Sequence, residues 1–331
     1  MKKWKFTGRL QSFMEKPELF WDEKKVEFSV LDCIDRMATA KGVTHIEPNY
    51  PMHFKEHSVQ ELKAYIESKG LATSGVATRF EDEFIGGELT NPDPKIRAKA
   101  LNLIHETVET CKEMGGTTTT IWSAFDGFDY PFQADYGRSW RMIVDSIADV
   151  AKAHPDMKIS IEYKPYEPRQ FYFINDIGTT LLAIEDAKCD NLGVTLDFAH
   201  MIMKKENPAY SLALAAERGR LFGFHLNDGY GSHDDGLMLA SVNLLQTLEF
   251  VYYMRKYNYD DVIFFDTFPK REDPVKEFET NIELFNGLSN LIDNIGEGKI
   301  NEIIANKDAI AIQRILVSEN LLNTSLGARS I

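Results

Sequence analysis

Four short apolar runs in the second half of the chain, KISI, GVTL, LFGF and VIFF, are each followed at once by a cation-binding side chain: Glu162, Asp197, His225 and Asp266. Placed at one depth relative to their strands, the four would aim into one cavity. Three carboxylates that close together raise one another's pKa and cannot all stay ionised without a cation. A divalent metal resolves the conflict. Oxygen ligands with one imidazole favour Mn²⁺, Mg²⁺ or Co²⁺, with Zn²⁺ a further candidate. A second site is suggested by the D-x-x-H spacing of Asp197 and His200 and by the loop GSHDD, which carries His233, Asp234 and Asp235. Asp197 could bridge two metals, with His200, Asp235 and either His233 or Asp234 completing the second. Any one of these residues alone reads as a hydrogen-bonded core or loop residue; recurrence at four successive strand ends carries the metal reading.

Two further groups of polar residues sit at strand exits. In IEYKPYEPRQF, Lys164 follows Glu162 by two positions, so one strand tip bears both signs of charge. An earlier strand runs out through Glu47, Asn49 and His53, and the strand carrying His225 continues into Asn227 and Asp228. Trp122 and the aromatics Tyr50, Phe54, Phe125, Phe128, Tyr130, Phe132 and Tyr163 suggest an apolar-walled pocket.

The elements that must position these residues follow from periodicity. Short β-rich runs fall at Lys5–Leu10, Thr44–Tyr50, Leu71–Thr78, Thr117–Ser123, Lys158–Lys164, Gly193–Phe198, Leu221–Asn227 and Asp261–Asp266. Between them lie amphipathic stretches; in Lys95–Met114, Ile96, Ala100, Leu103 and Ile104 recur at helical spacing. Strict alternation implies parallel strands with crossover helices, and eight units favour closure into a (β/α)₈ TIM barrel. In such a barrel the active site lies at the C-terminal strand ends, where the charges above are placed. An open doubly wound sheet is disfavoured because the first turn reads TGRLQSFM, and no G-x-G-x-x-G or G-x-x-x-x-G-K-[ST] occurs. Residues 1–290 are expected to form the barrel. Residues 291–331, with Ile303, Ile304, Ile310, Ile312, Ile315 and Leu316, read as a helical C-terminal extension that packs on a neighbouring subunit in a homodimer or homotetramer.

Composition narrows the partners. With 37 basic and 51 acidic residues the net charge is −14, and no basic block appears, so a nucleic acid backbone would be repelled. No run of about 18 apolar residues exists and the N-terminus MKKWKFTGRL lacks a signal-peptide core, so the expectation is a cytoplasmic protein without membrane contact. Three scattered cysteines, Cys33, Cys111 and Cys189, argue against a disulfide framework or a zinc knuckle.

At these residues the sequence resembles the xylose isomerase-like TIM-barrel family, especially its xylose- and rhamnose-type aldose–ketose isomerases. IEYKPYEPR is similar to the family's E-x-K-P-x-E-P-R segment, VTLDFAH to its [E/D]-x-x-H, and LFGFHLND to its seventh-strand segment, with the histidine of the rhamnose type. FFDTFPKRED resembles the F-D-x-x-P-x-R stretch that ends the eighth strand, and TIWSAFDG the tryptophan-bearing fourth strand. These segments span about residues 115–275. The resemblance implies two divalent metals per subunit: Glu162, Asp197, His225 and Asp266 on the first, and Asp197, His200 and Asp235, with His233 as a further candidate, on the second. It also implies Lys164 hydrogen-bonded to the substrate oxygen at C1, with Trp122 and His200 against a small sugar. The family's N-terminal acid–base histidine has no clean match; His45, His53 and Glu47 all lie near the right strand.

The chemistry implied is transfer of hydrogen between C1 and C2 of a free, unphosphorylated open-chain aldose, with charge on both oxygens stabilised by cations and on O1 by Lys164. A ketose 3-epimerase on the same barrel is the first alternative; it needs two opposed carboxylates, and the eighth strand offers Asp266 rather than a longer glutamate. An endonuclease of the apurinic-site type would want a basic rim and more than 8 histidines. A non-catalytic binding barrel would not need the full ligand set.

Overall fold

The computed structural model describes residues 3–15, 17–20 and 28–318. Its strands are β1 (Lys5–Gly8), β2 (His45–Ile46), β3 (Asn49–Tyr50), β4 (Ala72–Thr73), β5 (Gly75–Thr78), β6 (Thr118–Trp122), β7 (Gly127–Phe128), β8 (Lys158–Glu162), β9 (Phe171–Tyr172), β10 (Leu192–Asp197), β11 (Leu221–Leu226) and β12 (Val262–Phe265). The eight expected runs are all strands. The second is broken around Pro48, which has no N–H to give the ladder, into β2 and β3, and the third into β4 and β5.

All barrel pairings are parallel, in the order β1-β12-β11-β10-β8-β6-β5-β3, and β2 pairs with β4. The ring closes through Thr44, just before β2. Its N–H donates to the Phe6 carbonyl at 3.0 Å, and its hydroxyl accepts from Phe6 N at 2.8 Å. The protein is therefore a (β/α)₈ barrel. An antiparallel pair, β7 with β9, lies outside the ring and joins the loops that follow β6 and β8.

The crossover helices begin and end where local chemistry dictates. Asp93 caps the Pro94–Met114 helix by accepting from Lys95 N at 2.8 Å, Pro94 supplies a preset φ, and Gly115 ends it at φ 83°. Ser29 with Asp32 and Ser58 with Glu61 form capping boxes at two other starts. Inward faces are apolar, as in Tyr136–Ala153 with Ile143, Val144, Ile147 and Val150 buried. Between barrel and helices, Phe250 packs edge-on against Phe198 and Phe224 at centroid distances of 5.6 and 5.1 Å. All six residues of β10 are buried, which fixes the height of Asp197. The three cysteines are buried and free, and none of the described helices is long and apolar enough to cross a membrane.

By internal contacts the chain divides into Met1–Ile282 and Glu283–Ile331, earlier than the expected break after residue 290. The division falls inside the Pro274–Ile295 helix, which continues through the Asn286-Gly287 pair. The second unit continues with helices Glu297–Asn306 and Ala309–Ser318; Ile300 and Ile303 are buried, and Ile304 and Ile310 are exposed. Residues 319–331 lie outside the described residues.

Glu277 is buried in the first unit, accepting from Thr267 Oγ1 at 3.0 Å and Asn281 Nδ2 at 2.6 Å. Burial pushes its carboxyl up to about 7 against these two hydrogen bonds. A raised carboxyl means that the folded state binds the extra proton between the unfolded pKa of about 4.3 and this value, so stability falls as pH rises across that window. Denaturant melts of Glu277→Gln should lose this slope and be more stable than wild type above pH 7 by on the order of 3 kcal/mol.

Candidate metal centre and active site

The strand ends of the barrel and the loop after β11 enclose a cavity of about 230 Å³ at the C-terminal face. Glu162 ends β8, Asp197 ends β10, His225 lies one residue from the end of β11, and Asp266 follows β12. Parallel register puts Asp197 opposite His225, whereas Glu162 stands opposite Thr195 and His225 opposite Phe264, so Asp197 and Asp266 each reach in from two residues further along their strands. One ligand atom from each of Glu162, Asp197, His225 and Asp266 lies within 4.8 Å of the others.

The electrostatics of this group are strained. Burial and the carboxylates of Asp234, Glu162 and Asp266 push Asp197 up to about 7, opposed by His200. Burial also raises Asp266, against His225 and Arg9. Burial would lower His225, but Glu162, Asp266 and Glu47 around it lift it to about 10. Glu162 is drawn below the usual carboxylate range despite burial, chiefly by His225. His225 Nδ1 is 3.1 Å from Glu162 Oε2, close enough for attraction but off the hydrogen-bonding direction. His225 Nδ1, Asp266 Oδ1 and Asp234 Oδ1 are buried with no hydrogen-bond partner. Three orphaned donor-set atoms in one site are what a cation would satisfy, and the oxygen-rich set suits Mn²⁺, Mg²⁺ or Co²⁺.

Asn227 holds Asp197 in place. Its Nδ2 donates to both carboxylate oxygens, at 3.3 and 3.1 Å, while its Oδ1 accepts from Ala199 N at 2.8 Å. Asp228, next in sequence, points elsewhere and accepts from Gly229, Val242 and Asn243 in the following loop.

A second group adjoins the first. His200 Nδ1 lies 2.9 Å from the Tyr163 carbonyl, which can only accept, so Nδ1 carries the hydrogen and Nε2 faces Asp234 Oδ2 at 3.3 Å. Lys164 Nζ donates to the same oxygen at 3.0 Å and lies 5.7 Å from the Trp122 ring centroid. His200 and Lys164 hold the Asp234 carboxyl far below its ordinary value, against the effect of burial.

The structure brings most of the expected site residues to this cavity, Asp197 through the ligand cluster behind its lining, and leaves out three. Trp122, Glu162, Lys164, His200, His225 and Asp266 line it, together with Glu47, which accepts from Ser74 Oγ at 3.0 Å. Asp235 does not: its carboxylate turns back to accept from Tyr230 N at 2.6 Å, closing its own loop. Asp234, the neighbour pointing the other way, takes the place expected of Asp235. His233 is exposed, with Nε2 2.7 Å from Asp235 Oδ1. His53 is buried away from the cavity and accepts from Asn49 N at 2.9 Å through Nδ1; burial, with Arg9 and Arg79, lowers it to about 4, so it is a neutral ring.

Sequence reasoning missed Arg9 and Arg79, which line the cavity just after β1 and β5. The strand-end rule that found the acidic residues points equally to these two positions. Arg169 is a loop anchor: it donates to Asp129 Oδ2 at 2.9 Å and to the carbonyls of Phe125 and Ile85.

Barrel and site together define an α/β barrel with a cation-ready acidic centre at its strand ends. The chain belongs to the xylose isomerase-like TIM-barrel family, whose model matches residues 34–288. It is 28% identical over 202 residues to a xylose isomerase of Thermus thermophilus, covering 59% of this chain and 52% of that protein. It is likewise 28% identical over 233 residues to a probable sugar isomerase of Rhizobium meliloti, covering 65% and 52%. The chain thus spans about half the length of the curated relatives it matches. Among solved structures, a D-allulose 3-epimerase from Methylomonas sp. superposes with a TM-score of 0.65 at 18% identity, over 87% of this chain and 99% of that one.

If the four-residue cluster binds a cation, adding Mn²⁺ to chelator-treated protein should raise its melting temperature. Asp266→Asn removes one charge from a crowded group, so the metal-free variant should melt no lower than wild type while its Mn²⁺ affinity, read by calorimetry, falls by on the order of 100-fold or more.

Proposed function

We propose that the protein is a divalent-metal-dependent aldose–ketose isomerase, an intramolecular oxidoreductase acting on a free, unphosphorylated monosaccharide. The observation that carries this reading is the buried Lys164 ammonium, held between Trp122 and Asp234 beside the tip of Glu162. An ammonium there suits an oxygen that becomes negative during C1–C2 chemistry, and burial strengthens its effect. The sequence likeness to xylose and sugar isomerases supports the same class.

In this reading Glu162, Asp197, His225 and Asp266 hold one divalent ion, and His200 and Asp234, with Asp197, hold a second. Bound there, the ions would supply Lewis-acid stabilisation of charge on the sugar oxygens. Lys164 donates to O1, and Trp122 walls the sugar face and keeps water from the reacting carbons. Asn227 keeps the Asp197 carboxylate from rotating. Glu47 lines the cavity and His53 does not, so Glu47 is the residue placed to move the hydroxyl proton in ring opening. A 3-epimerase would need two carboxylates to take and return a proton at C3; here the eighth barrel strand is followed by Asp266, shorter than a glutamate, and Lys164 beside Glu162 suits C1–C2 chemistry better. We further place the enzyme in the cytoplasm as a homodimer or homotetramer, with the exposed Ile304 and Ile310 of the C-terminal unit at a subunit contact.

A panel of aldoses and ketoses assayed with Mn²⁺, Mg²⁺ or Co²⁺, with products resolved by NMR, tests the reaction. C1–C2 isomers that disappear after stringent chelation are expected; deuterium uptake from D₂O at C3 of a ketose would instead make it an epimerase. Lys164→Met should lower kcat by about 10²- to 10³-fold with the Mn²⁺-induced melting shift retained. Near-normal turnover in that variant would remove the lysine from the mechanism.

A further inference from the structure

The cavity is lined by side chains of both signs. Besides the carboxylates and Lys164 it carries the guanidiniums of Arg9 and Arg79, the two arginines among its described lining residues. Arg9 lies 4.8 Å over the Phe268 ring, donates to Ser12 Oγ at 3.3 Å and stands 3.8 Å from Asp266. Arg79 lies 5.3 Å over the Trp122 ring, and its guanidinium makes no hydrogen bond or ion pair with any described residue. Burial disfavours its charge, and Arg9 adds to that, so the cation is held at a cost without a close counter-charge. The carboxylates of Asp266, Glu162 and Glu81 act on it only from beyond ion-pair distance, and a cation bound at the centre would cancel the pull of the first two. A neutral sugar would leave the half-buried Arg79 without a charged partner in the cavity. Stacking on an aromatic ring fixes the guanidinium plane and leaves its N–H edge free, the arrangement that meets a planar carboxylate with two parallel hydrogen bonds.

We propose that the substrate is a sugar acid, an aldose whose far end carries a carboxylate, and that Arg79, with Arg9 beside it, selects it. The proposal rests on the sugar-isomerase reading of the site and specifies its substrate class. A phosphate is the other anion a guanidinium could take. None of the described lining residues is a glycine, so the wall lacks the open backbone turn with converging N–H groups that phosphate sites in such barrels use.

The test is direct binding to Mn²⁺-loaded protein by calorimetry, with glucuronate and galacturonate set against glucose, galactose and glucose 6-phosphate. The uronates should bind about 10- to 100-fold more tightly than the neutral aldoses, and Arg79→Met should abolish that preference. Arg79→Lys keeps the charge without the fork and should retain only part of it; it also serves if the methionine variant loses its Mn²⁺-induced melting shift. Neutral sugars binding as well as uronates, tighter binding of the phosphate, no binding of any probe, or a preference surviving in Arg79→Met would each overturn the proposal. Tight uronate binding without C1–C2 turnover would leave it standing and sink the isomerase reading instead. Turnover of neutral aldoses without uronate preference would do the reverse.

Discussion

Carboxylates gathered at one end of a barrel repel each other, and the rest of the site is arranged around that repulsion. Glu47, Glu162, Asp197 and Asp266 meet where parallel strands end, because a closed parallel sheet sends its strand ends to the same face, and the loop after β11 adds Asp234. In water such a cluster would be relieved by solvation. Here burial removes the solvent, and the groups respond in opposite directions: Asp197 and Asp266 are pushed up, while Glu162 and Asp234 are held down by adjacent imidazoles and Lys164. A scaffold evolved for stability alone would put apolar side chains at these positions. The chain keeps the charges, which is how functional sites commonly depart from the rules that govern the core.

The constraint propagates outward through the loops. Trp122 lies on β6 and Lys164 just after β8, and their separation depends on the two loops that follow. These are knit together by the β7–β9 pair and by Arg169 of one loop, which donates to Asp129 of the other. The Tyr172 hydroxyl lies within hydrogen-bonding distance of both the Ala124 and Glu167 carbonyls, bridging the same loops from below. Asp126 gathers the N–H groups of Glu88, Leu89 and Thr90 and ties in a third loop. The arginine and prolines after Glu162 therefore hold the rim that carries the ammonium, while Glu162 and Lys164 face the cavity.

That division of labour explains which parts of the site were legible in the sequence. Strand and helix positions could be read because each barrel unit repeats one pattern, and four ligand candidates could be read because they follow that pattern by one residue. Asp234 could not be separated from Asp235, since no period governs a loop: Tyr230 N captures one carboxylate and thereby turns its neighbour into the cavity. His53 fell for a related reason. It follows a short strand in a 3₁₀ turn, whose tight geometry points it at Asn49 N instead of into the cavity. The helix Pro274–Ile295 runs without a break past both residue 282, where internal contacts divide the chain, and residue 290, where its repeating pattern ends.

Arg9 and Arg79 show why a cluster of acids can coexist with nearby cations without being quenched by them. Free to move, an arginine this close would swing onto the nearest carboxylate and occupy the position of a metal or substrate. Phe268 and Trp122 oppose that by stacking: each ring offers its guanidinium a face, an attraction worth about 0.5–2 kcal/mol that rises with desolvation. Arg9 still comes within 3.8 Å of Asp266, so the balance there is close, whereas Arg79 stays clear of every described acid. The aromatic residues that line the cavity thus help to keep acidic and basic side chains apart within it. A substrate with a cation-binding end and an anionic end would be oriented by that field before any side chain moved.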